Sequence, residues 1–128
     1  MTYLLDTHAF LFWLFGDKRL SRAARSLIER PDNSILVSSA SAWEIATKHR
    51  LGKFEAARDL VTDIGAWVAR AGFAELPVTI AHAQQAGLWP QAHRDPFDRL
   101  LAAQSALEPC PLITSDSELD AFPIQRAW

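Results

Sequence analysis

The chain has 128 residues, of which 49% are hydrophobic and 22% charged, and we expect a single domain over residues 1–128. Such a composition excludes a disordered, collagen-like or coiled-coil chain, and a chain of this length buries about two-thirds of its unfolded surface. The 13 Lys and Arg residues face 15 Asp and Glu, a net charge of −2, which argues against a protein that coats nucleic acid with a broad basic surface. This net charge remains compatible with an enzyme that contacts only a few phosphates.

The N-terminal region and the cysteine content bear on the cellular compartment. Ala9–Phe15 is an apolar run that is too short to span a bilayer and lacks a preceding basic region, so it is interpreted as a buried helix. Cys110 is the only cysteine, which excludes an internal disulfide and a cysteine-rich zinc site, and it is predicted to be a small buried apolar residue. We therefore expect a soluble, cytoplasmic protein.

Short apolar segments alternate with helical segments along the chain. Strands are predicted at Tyr3–Asp6, Ile35–Ser38, Phe73–Val78 and Pro111–Thr114, with a possible edge strand at Ile124–Trp128. Helices are predicted at Thr7–Phe15, Ser21–Arg30, Ser41–Leu51, Glu55–Ala71, Thr79–Ala86 and Pro96–Leu107. This alternation predicts an α/β domain with a mainly parallel sheet, in which functional groups collect beyond the carboxyl ends of the strands.

Four acidic residues lie at the ends of predicted elements. Asp6 ends the first strand, and Asp116 follows the fourth. Glu44 and Asp98 are placed in the first turns of two helices, one after the second strand and one before the fourth. If the first and fourth strands are neighbours, Asp6 and Asp116 face each other and the two helix starts open toward the same edge.

Each of these acids also has an ordinary structural role. Asp6 and Asp116 can each cap the helical turn that follows. Glu44 can close a capping box with Ser41 or form an ion pair with Lys48 one turn later.

The start of the sixth helix carries two acids with different expected roles. Asp95 precedes Pro96 and is a natural N-cap with proline in the first helical position. Asp98 then lies at the third helical position, where the helix dipole favours a carboxylate. We therefore assign Asp95 to the cap and keep Asp98 as the site candidate.

Taken together, the four acids predict a metal site. Four carboxylates in one pocket repel one another unless a cation binds or some of them hold a proton. Hard oxygen ligands, without cysteine or a histidine pair at ligand spacing, suit Mg²⁺ or Mn²⁺. Such an ion polarises a phosphate oxygen and lowers the pKa of a bound water, which is the chemistry of phosphodiester hydrolysis. The candidate ligands and catalytic residues are Asp6, Glu44, Asp98 and Asp116.

Four segments in order along the chain carry a family resemblance: Tyr3–Ala9, Ser41–Lys53, His93–Gln104 and Thr114–Asp116. At these residues the sequence resembles the PIN-domain family, in particular the VapC toxins of bacterial type II toxin–antitoxin pairs. The resemblance implies a three-layer α/β domain with a mainly parallel sheet of about five strands. It also implies a Mg²⁺- or Mn²⁺-dependent endoribonuclease, a homodimer, and a VapB-type antitoxin that blocks the site.

The resemblance also carries over roles for individual residues. Asp6, Asp98 and Asp116 would hold the metal directly or through water, while Glu44 would bind a water of the metal shell or a second ion. Thr7 and Thr114 would orient carboxylates.

Further residues have both a functional and a structural interpretation. The histidines His8 and His93 lie near candidate acids and can donate to a carboxylate or phosphate, whereas His82 is expected to be a surface or packing group. Cations that can contact RNA phosphates or simply form solvated helix faces are Arg22, Arg25, Lys48, His49, Arg50 and Lys53. Aromatic residues that can form a dimer or antitoxin surface, or belong to the core, are Phe10, Trp13, Trp67 and Phe73.

Two other functions remain open. An aspartyl-phosphate domain would use Asp6, but one type of such site needs a second Asp two residues later, where His8 stands, and the receiver type needs an acidic pair and a late Lys that the chain lacks. A catalytically inert PIN-like binding module would keep the fold and the acids without cleaving RNA.

Overall fold

Five short strands and six helices alternate along the chain in the computed structural model, which describes every residue from Met1 to Trp128. The strands are β1 (Thr2–Leu5), β2 (Ser34–Ser38), β3 (Ala74–Leu76), β4 (Leu112–Ile113) and β5 (Arg126–Ala127). The helices are α1 (Thr7–Phe15), α2 (Arg22–Glu29), α3 (Ser39–Arg50), α4 (Ile64–Arg70), α5 (Ile80–Leu88) and α6 (Pro96–Leu107).

All five strands are parallel and form one sheet in the order β3-β2-β1-β4-β5. The central strand β1 pairs with β2, with Leu4 opposite Leu36, and with β4, with Leu5 opposite Ile113. The condition under which Asp6 and Asp116 face each other, that the first and fourth strands are neighbours, is therefore met. Because the chain moves outward from β1 to β3 and then returns to β4, the strand order reverses between β1 and β4. A crevice for a ligand is expected at the carboxyl ends of these two strands.

Alternate residues of β1 point to opposite faces of the sheet and enter two separate cores. Tyr3 and Leu5 belong to a cluster of 16 buried residues that includes side chains of α1 and α2. Leu4 belongs to a second cluster of seven buried residues, with Leu101 of α6 and Leu112 of β4. The sheet is thus covered on both faces, which confirms the three-layer α/β architecture.

The third helix begins earlier than the sequence indicates. Ser38 is its N-cap, and the Ser38 hydroxyl accepts a hydrogen bond from the Ala40 amide at 2.9 Å. Ser41 is buried inside the helix, so the predicted capping box between Ser41 and Glu44 is wrong. Glu44 consequently lies in the second turn of α3 rather than in its first.

The long helix predicted over Glu55–Ala71 is also wrong. The structure has two short 3₁₀ turns, Glu55–Ala57 and Leu60–Thr62, and only then the helix α4. The side chain of Asp63 caps α4 by accepting from the Ala66 amide at 3.0 Å, which fixes a new helix start in the middle of the segment. Buried apolar residues nevertheless recur through this region, and their spacing is what suggested one continuous helix.

Two further features concern single elements. Cys110 is buried, as predicted, and lies beside β4 in the second core cluster. None of the helices combines the length and the apolar character that crossing a membrane requires.

Candidate functional site: an acid pocket at the carboxyl edge of the sheet

A cavity of about 260 Å³ lies where β1 and β4 end, and all four predicted acids line it. We call it the acid pocket. Its lining comprises five carboxylates, one lysine and four other residues: Asp6, Glu44, Asp95, Asp98, Asp116, Lys48, Thr7, His8, Phe12 and Ser115. The structure therefore brings the four candidates together and adds Asp95 to them.

Asp6 and Asp116 reach the pocket from the ends of neighbouring strands. Asp6 follows β1, and its carboxylate caps α1 by accepting from the Ala9 amide at 2.6 Å. Asp116 lies three residues after β4 and accepts from the Glu118 amide at 3.0 Å. Both residues thus have the capping role that the sequence allowed, and this role holds each carboxylate in place at the pocket.

Glu44 enters the pocket from α3 and is almost completely buried, with 3% of the residue exposed. Its carboxylate accepts a hydrogen bond from the Thr7 hydroxyl at 2.5 Å and forms an ion pair with Lys48 one turn further on. A buried carboxylate needs such partners because its charge is otherwise costly in the interior. Thr7 therefore makes the contact with a carboxylate that the resemblance implied, and Lys48 is bound to an acid of the pocket.

Asp95 and Asp98 occupy the first turn of α6. Asp95 accepts from the amides of Phe97 and Asp98 at 2.9 and 3.2 Å, so it is the N-cap that the sequence predicts. One oxygen of the Asp98 carboxylate lies 3.0 Å from His93 Nε2. His93 thus contacts a candidate acid, as the sequence allowed, and it fixes the orientation of the Asp98 carboxylate.

Burial and mutual repulsion hold two of these acids in unfavourable surroundings. Burial is the main cause that raises the pKa of Asp6 above its ordinary value, and the nearby charge of Glu44 adds to this effect. The pKa of Asp98 rises to about 6, mainly through burial and further through the charges of Asp95 and Glu44. A positive charge in the pocket would lower both pKa values, so the pocket is electrostatically prepared for a cation.

The donor set of the acid pocket consists of carboxylate and hydroxyl oxygens, which suit a hard divalent cation. Carboxylate oxygens and nearby hydroxyls are the ligands that Mg²⁺ and Mn²⁺ prefer. No three His, Cys, Asp or Glu side chains are arranged to hold an ion together directly. Mg²⁺ in proteins commonly keeps several waters and is bound through only one or two carboxylates.

Arg99 is a residue of this region that sequence reasoning did not single out. Its guanidinium donates to four backbone carbonyls, one near the end of α5 and three in the loop that follows, at distances between 2.6 and 2.8 Å: those of Ala86, Trp89, Gln91 and His93. The sequence feature that could have identified Arg99 is its position one residue after Asp98, on a helix that otherwise packs against the sheet. Arg99 thereby ties down the loop that carries His93.

The remaining histidines differ in their surroundings. His8 is exposed and lines the acid pocket. His82 is buried, so of its two expected roles only that of a packing group is correct. Its Nδ1 accepts from the Thr79 amide at 2.9 Å, and its Nε2 lies 3.0 Å from Glu108.

The aromatic residues suggested for a partner surface are part of the interior or pack against it. Phe10 is fully buried, so it cannot belong to an exposed surface. Trp13 and Phe73 are half-buried with ring centroids 6.2 Å apart, and Trp67 likewise packs against the larger core. Of the cations, Lys48 is the one that lines the acid pocket.

Comparisons with known proteins identify the family and the fold. The family model described as PIN domain matches residues 3–124. Ribonuclease VapC16 from Mycobacterium tuberculosis is 40% identical over 58 residues, which are 45% of this chain, and the chain covers only 41% of that protein's length.

Solved structures match nearly the whole chain at low sequence identity. A chain of the VapBC2 complex from Rickettsia felis, bound to a DNA fragment from its promoter, has a TM-score of 0.71 at 16% identity and covers 99% of this chain and 98% of its own. A chain of the VapBC-1 complex from nontypeable Haemophilus influenzae gives 0.70 at 16% identity, covering 99% and 97%. A toxin–antitoxin complex from Klebsiella pneumoniae gives 0.66 at 19% identity, covering 98% and 96%.

These structures share the fold, and the family model spans β1, the acid pocket and β4. The expectation drawn from the four sequence segments is therefore confirmed: the chain belongs to the PIN domain family.

Proposed function

We propose that the protein is a Mg²⁺- or Mn²⁺-dependent endoribonuclease and the toxin of a VapBC-type toxin–antitoxin pair. The observation that carries the proposal is that five carboxylates from four separate parts of the chain line one pocket at the carboxyl edge of the sheet. The names of the relatives support it, because one is called a ribonuclease and three solved neighbours are toxin–antitoxin complexes.

The pocket residues divide into metal ligands and groups that position them. Asp6, Asp98 and Asp116 would hold the ion directly or through water, and Glu44 would bind a water of its shell or a second ion. When bound, the ion supplies a water of lowered pKa and neutralises charge that develops on the scissile phosphate. Thr7 and Lys48 hold the carboxylate of Glu44, and His93 holds that of Asp98.

The acids of the pocket differ in how their charges are balanced within the protein. Glu44 has its oxygens already bound to Thr7 and Lys48, so its charge is balanced within the protein. Asp98 and Asp6 are the acids with raised pKa values, and they gain most from a cation. Asp6 and Asp98 are therefore the ligands whose loss should weaken metal binding most.

The partners follow from the same proposal. The substrate would be cytoplasmic RNA, and the regulator would be a VapB-type antitoxin that blocks the pocket. A homodimer is expected as the active form, and size-exclusion chromatography with light scattering measures it. The exposed side chain of Trp43 offers apolar area for such contacts.

The direct test incubates the purified, antitoxin-free protein with total cellular RNA in Mg²⁺, in Mn²⁺ and in EDTA. We expect discrete cleavage that needs the metal and that Asp6→Asn abolishes. Asp32→Asn is the matched control, because Asp32 is exposed, lies before β2 at the opposite end of the sheet, and makes no side-chain hydrogen bond. Sequencing the new RNA ends identifies the target.

Other outcomes would select another function. A folded protein that binds Mn²⁺ but cleaves no RNA would favour the inert binding module. A phosphoryl group trapped on Asp6 would favour an aspartyl-phosphate domain. Cleavage that survives in Asp6→Asn would remove the acid pocket as its origin.

A further inference from the structure

An aromatic groove of about 420 Å³ adjoins the acid pocket. Its lining includes the rings of His8, Phe12, Phe15 and Phe54 together with the guanidinium of Arg19. His8 and Phe12 also line the acid pocket, so the two cavities share a wall. The volume lies within the range of about 300–1,000 Å³ that is typical of small-ligand sites.

Phe54 is held in an unusual backbone conformation at this groove. Its φ of 53° and ψ of 46° lie in the left-handed region, and it is the only residue besides glycines with a positive φ. This conformation is unfavourable for a bulky side chain, and such strain tends to persist where it positions a functional group. In this conformation the half-buried Phe54 packs against the larger core and also lines the groove.

The Phe54 ring lies at the boundary between the groove and the acid pocket. Its centroid is 6.0 Å from that of His8, with the two rings nearly perpendicular, and 5.7 Å from Lys48 Nζ. Lys48 is also the partner of Glu44 in the pocket. A ligand in the groove would therefore lie next to the groups that surround the acids.

Arg19 closes the groove on another side and keeps a free donor. Its guanidinium lies 4.5 Å from the centroid of the Phe12 ring, and its side chain is 74% exposed. Nε and Nη2 donate to Asp17, whereas Nη1 makes no hydrogen bond within the protein. The groove thus combines aromatic faces, an arginine plane and one available donor.

We propose that this groove receives a nucleobase of the RNA strand whose phosphate enters the acid pocket. The inference rests on the proposed function and makes Phe54 a substrate-positioning residue. Unpaired RNA bases are recognised by stacking on aromatic rings and guanidinium planes and by hydrogen bonds to their edges. The shared wall at His8 and Phe12 brings a base in the groove next to a phosphate in the pocket. An apolar side chain of a partner protein is the competing occupant.

The test measures RNA binding in the Asp98→Asn protein, in which cleavage is expected to be absent. A single-stranded RNA oligonucleotide with 2-aminopurine at successive positions is titrated with this protein, with Phe54→Leu and Phe54→Tyr added in turn. Both changes retain a side chain at the strained position, but only tyrosine retains the ring. Arg19→Gln is a second variant, at a side chain that is 74% exposed.

We expect Phe54→Leu to weaken RNA binding about 5- to 150-fold, the effect of losing one stacked base, and Phe54→Tyr to bind like the parent. Quenching of 2-aminopurine at one position should disappear in Phe54→Leu and persist in Phe54→Tyr. Arg19→Gln should weaken binding to a smaller extent.

Equal affinity of the Phe54→Leu and parent proteins would overturn the inference, as would the absence of any RNA binding by the parent. A Phe54→Leu protein that loses only antitoxin binding would assign the groove to the antitoxin instead. Metal-dependent cleavage with Asp98 restored reports on the proposed function separately. Cleavage that is unaffected by Phe54→Leu would leave that function standing while removing this role for the groove.

Discussion

Two carboxyl groups of the acid pocket, those of Asp6 and Asp98, oppose folding when they are ionised, because burial raises their pKa values. Asp98 is the clearest case, because its pKa of about 6 lies well above the ordinary 3.8. The folded state therefore binds more protons than the unfolded state between these pH values. The contribution of Asp98 to the free energy of unfolding is most favourable below about pH 4 and becomes less favourable as the pH rises through 6.

Asp98→Asn should therefore stabilise the metal-free protein at pH 7 while it abolishes cleavage. The Asp98 side chain is 23% exposed, and after allowance for solvent screening we expect a gain of about 1–2 kcal/mol. Urea unfolding at pH 7 and pH 4 checks this, since the gain should shrink at the lower pH, where Asp98 itself is protonated.

Asp17→Asn is the control for this measurement. The pKa of Asp17 is lowered to about 2 by its hydrogen bonds with Arg19, so the substitution should bring no gain at pH 7. If Asp98→Asn lowered stability at pH 7, repulsion and burial would not dominate the environment of Asp98.

Thr7→Val should reduce both stability and cleavage. The change keeps the shape of the side chain but removes the hydroxyl that donates to Glu44 at 2.5 Å, and it leaves a buried carboxylate with one partner fewer. We expect a loss of about 1–2 kcal/mol in the free energy of unfolding. Thr7→Ser keeps the hydroxyl and should retain most of the activity, and an equal loss in both variants would show that the methyl group matters instead.

The residue types of the site could be predicted from the sequence, but not all of their environments. Asp6, Asp98 and Asp116 could be found because carboxylates at the ends of elements are a local pattern, whereas Glu44 lies in the second turn of α3, one turn later than that pattern placed it. The sequence did not predict that Asp95 also lines the pocket, because the capping of α6 already explained an acid at this position. The depth of burial of Glu44 depends on the contact with Thr7, which lies 37 positions away in the chain.

Among the elements, the loop before α6 depends on one side chain of that helix. The Arg99 guanidinium donates hydrogen bonds to four carbonyls that lie in or just before the loop, those of Ala86, Trp89, Gln91 and His93. Loop carbonyls that receive no partner from a sheet or helix need another donor or water. The guanidinium supplies several such donors in a fixed plane, which a lysine cannot do.

Arg99→Lys should therefore loosen the loop and disturb His93. We expect a loss of about 2–4 kcal/mol in the free energy of unfolding, because one ammonium group cannot satisfy four carbonyls. Hydrogen exchange measured by mass spectrometry should show faster exchange in residues 88–95. Arg94→Lys, at an exposed arginine of the same loop that makes no hydrogen bond through its side chain, is the control and should leave exchange unchanged.

The type of an element could be predicted where the hydrophobic periodicity and the capping residues indicate the same helix bounds. The prediction was wrong where these two signals conflict. The helix α6 could be placed because Asp95, Pro96 and the apolar spacing indicate the same start. The segment between Glu55 and Ala71 could not, because its apolar spacing indicates a helix while Asp63 starts a new one inside it. The Asp63 cap and the left-handed backbone of Phe54 determine the structure of this segment. A hydrophobic pattern predicts neither of them.

At the scale of the whole molecule, cation binding and folding should be linked. A ligand that binds only the folded state stabilises it, by about 2.7 kcal/mol when its concentration is 100 times the dissociation constant. Mg²⁺ or Mn²⁺ should therefore raise the melting temperature of the wild-type protein above its value in a potassium salt of equal ionic strength. The increase should be much smaller in Asp6→Asn and unchanged in Asp32→Asn. No metal-dependent increase in the wild type would contradict the proposed metal site.

The parallel sheet was predictable from the alternation of strands and helices, because parallel pairing requires long crossovers. The pairing of β1 with β4 followed only as a condition, since strand order depends on packing between distant segments. The domain boundary at residues 1–128 and the roles of the four acids remain predictions.

The strand order also determines when the acid pocket can exist during synthesis of the chain. Leu5 of β1 pairs with Ile113 of β4, and Asp116 follows that strand. While the chain is still emerging from the ribosome, β1 can find β2 and β3 but not its neighbour on the other side. The acid pocket can therefore form only after the chain through Asp116 has emerged, and a growing chain that has paired β1, β2 and β3 still lacks the strand that carries Asp116 to the pocket.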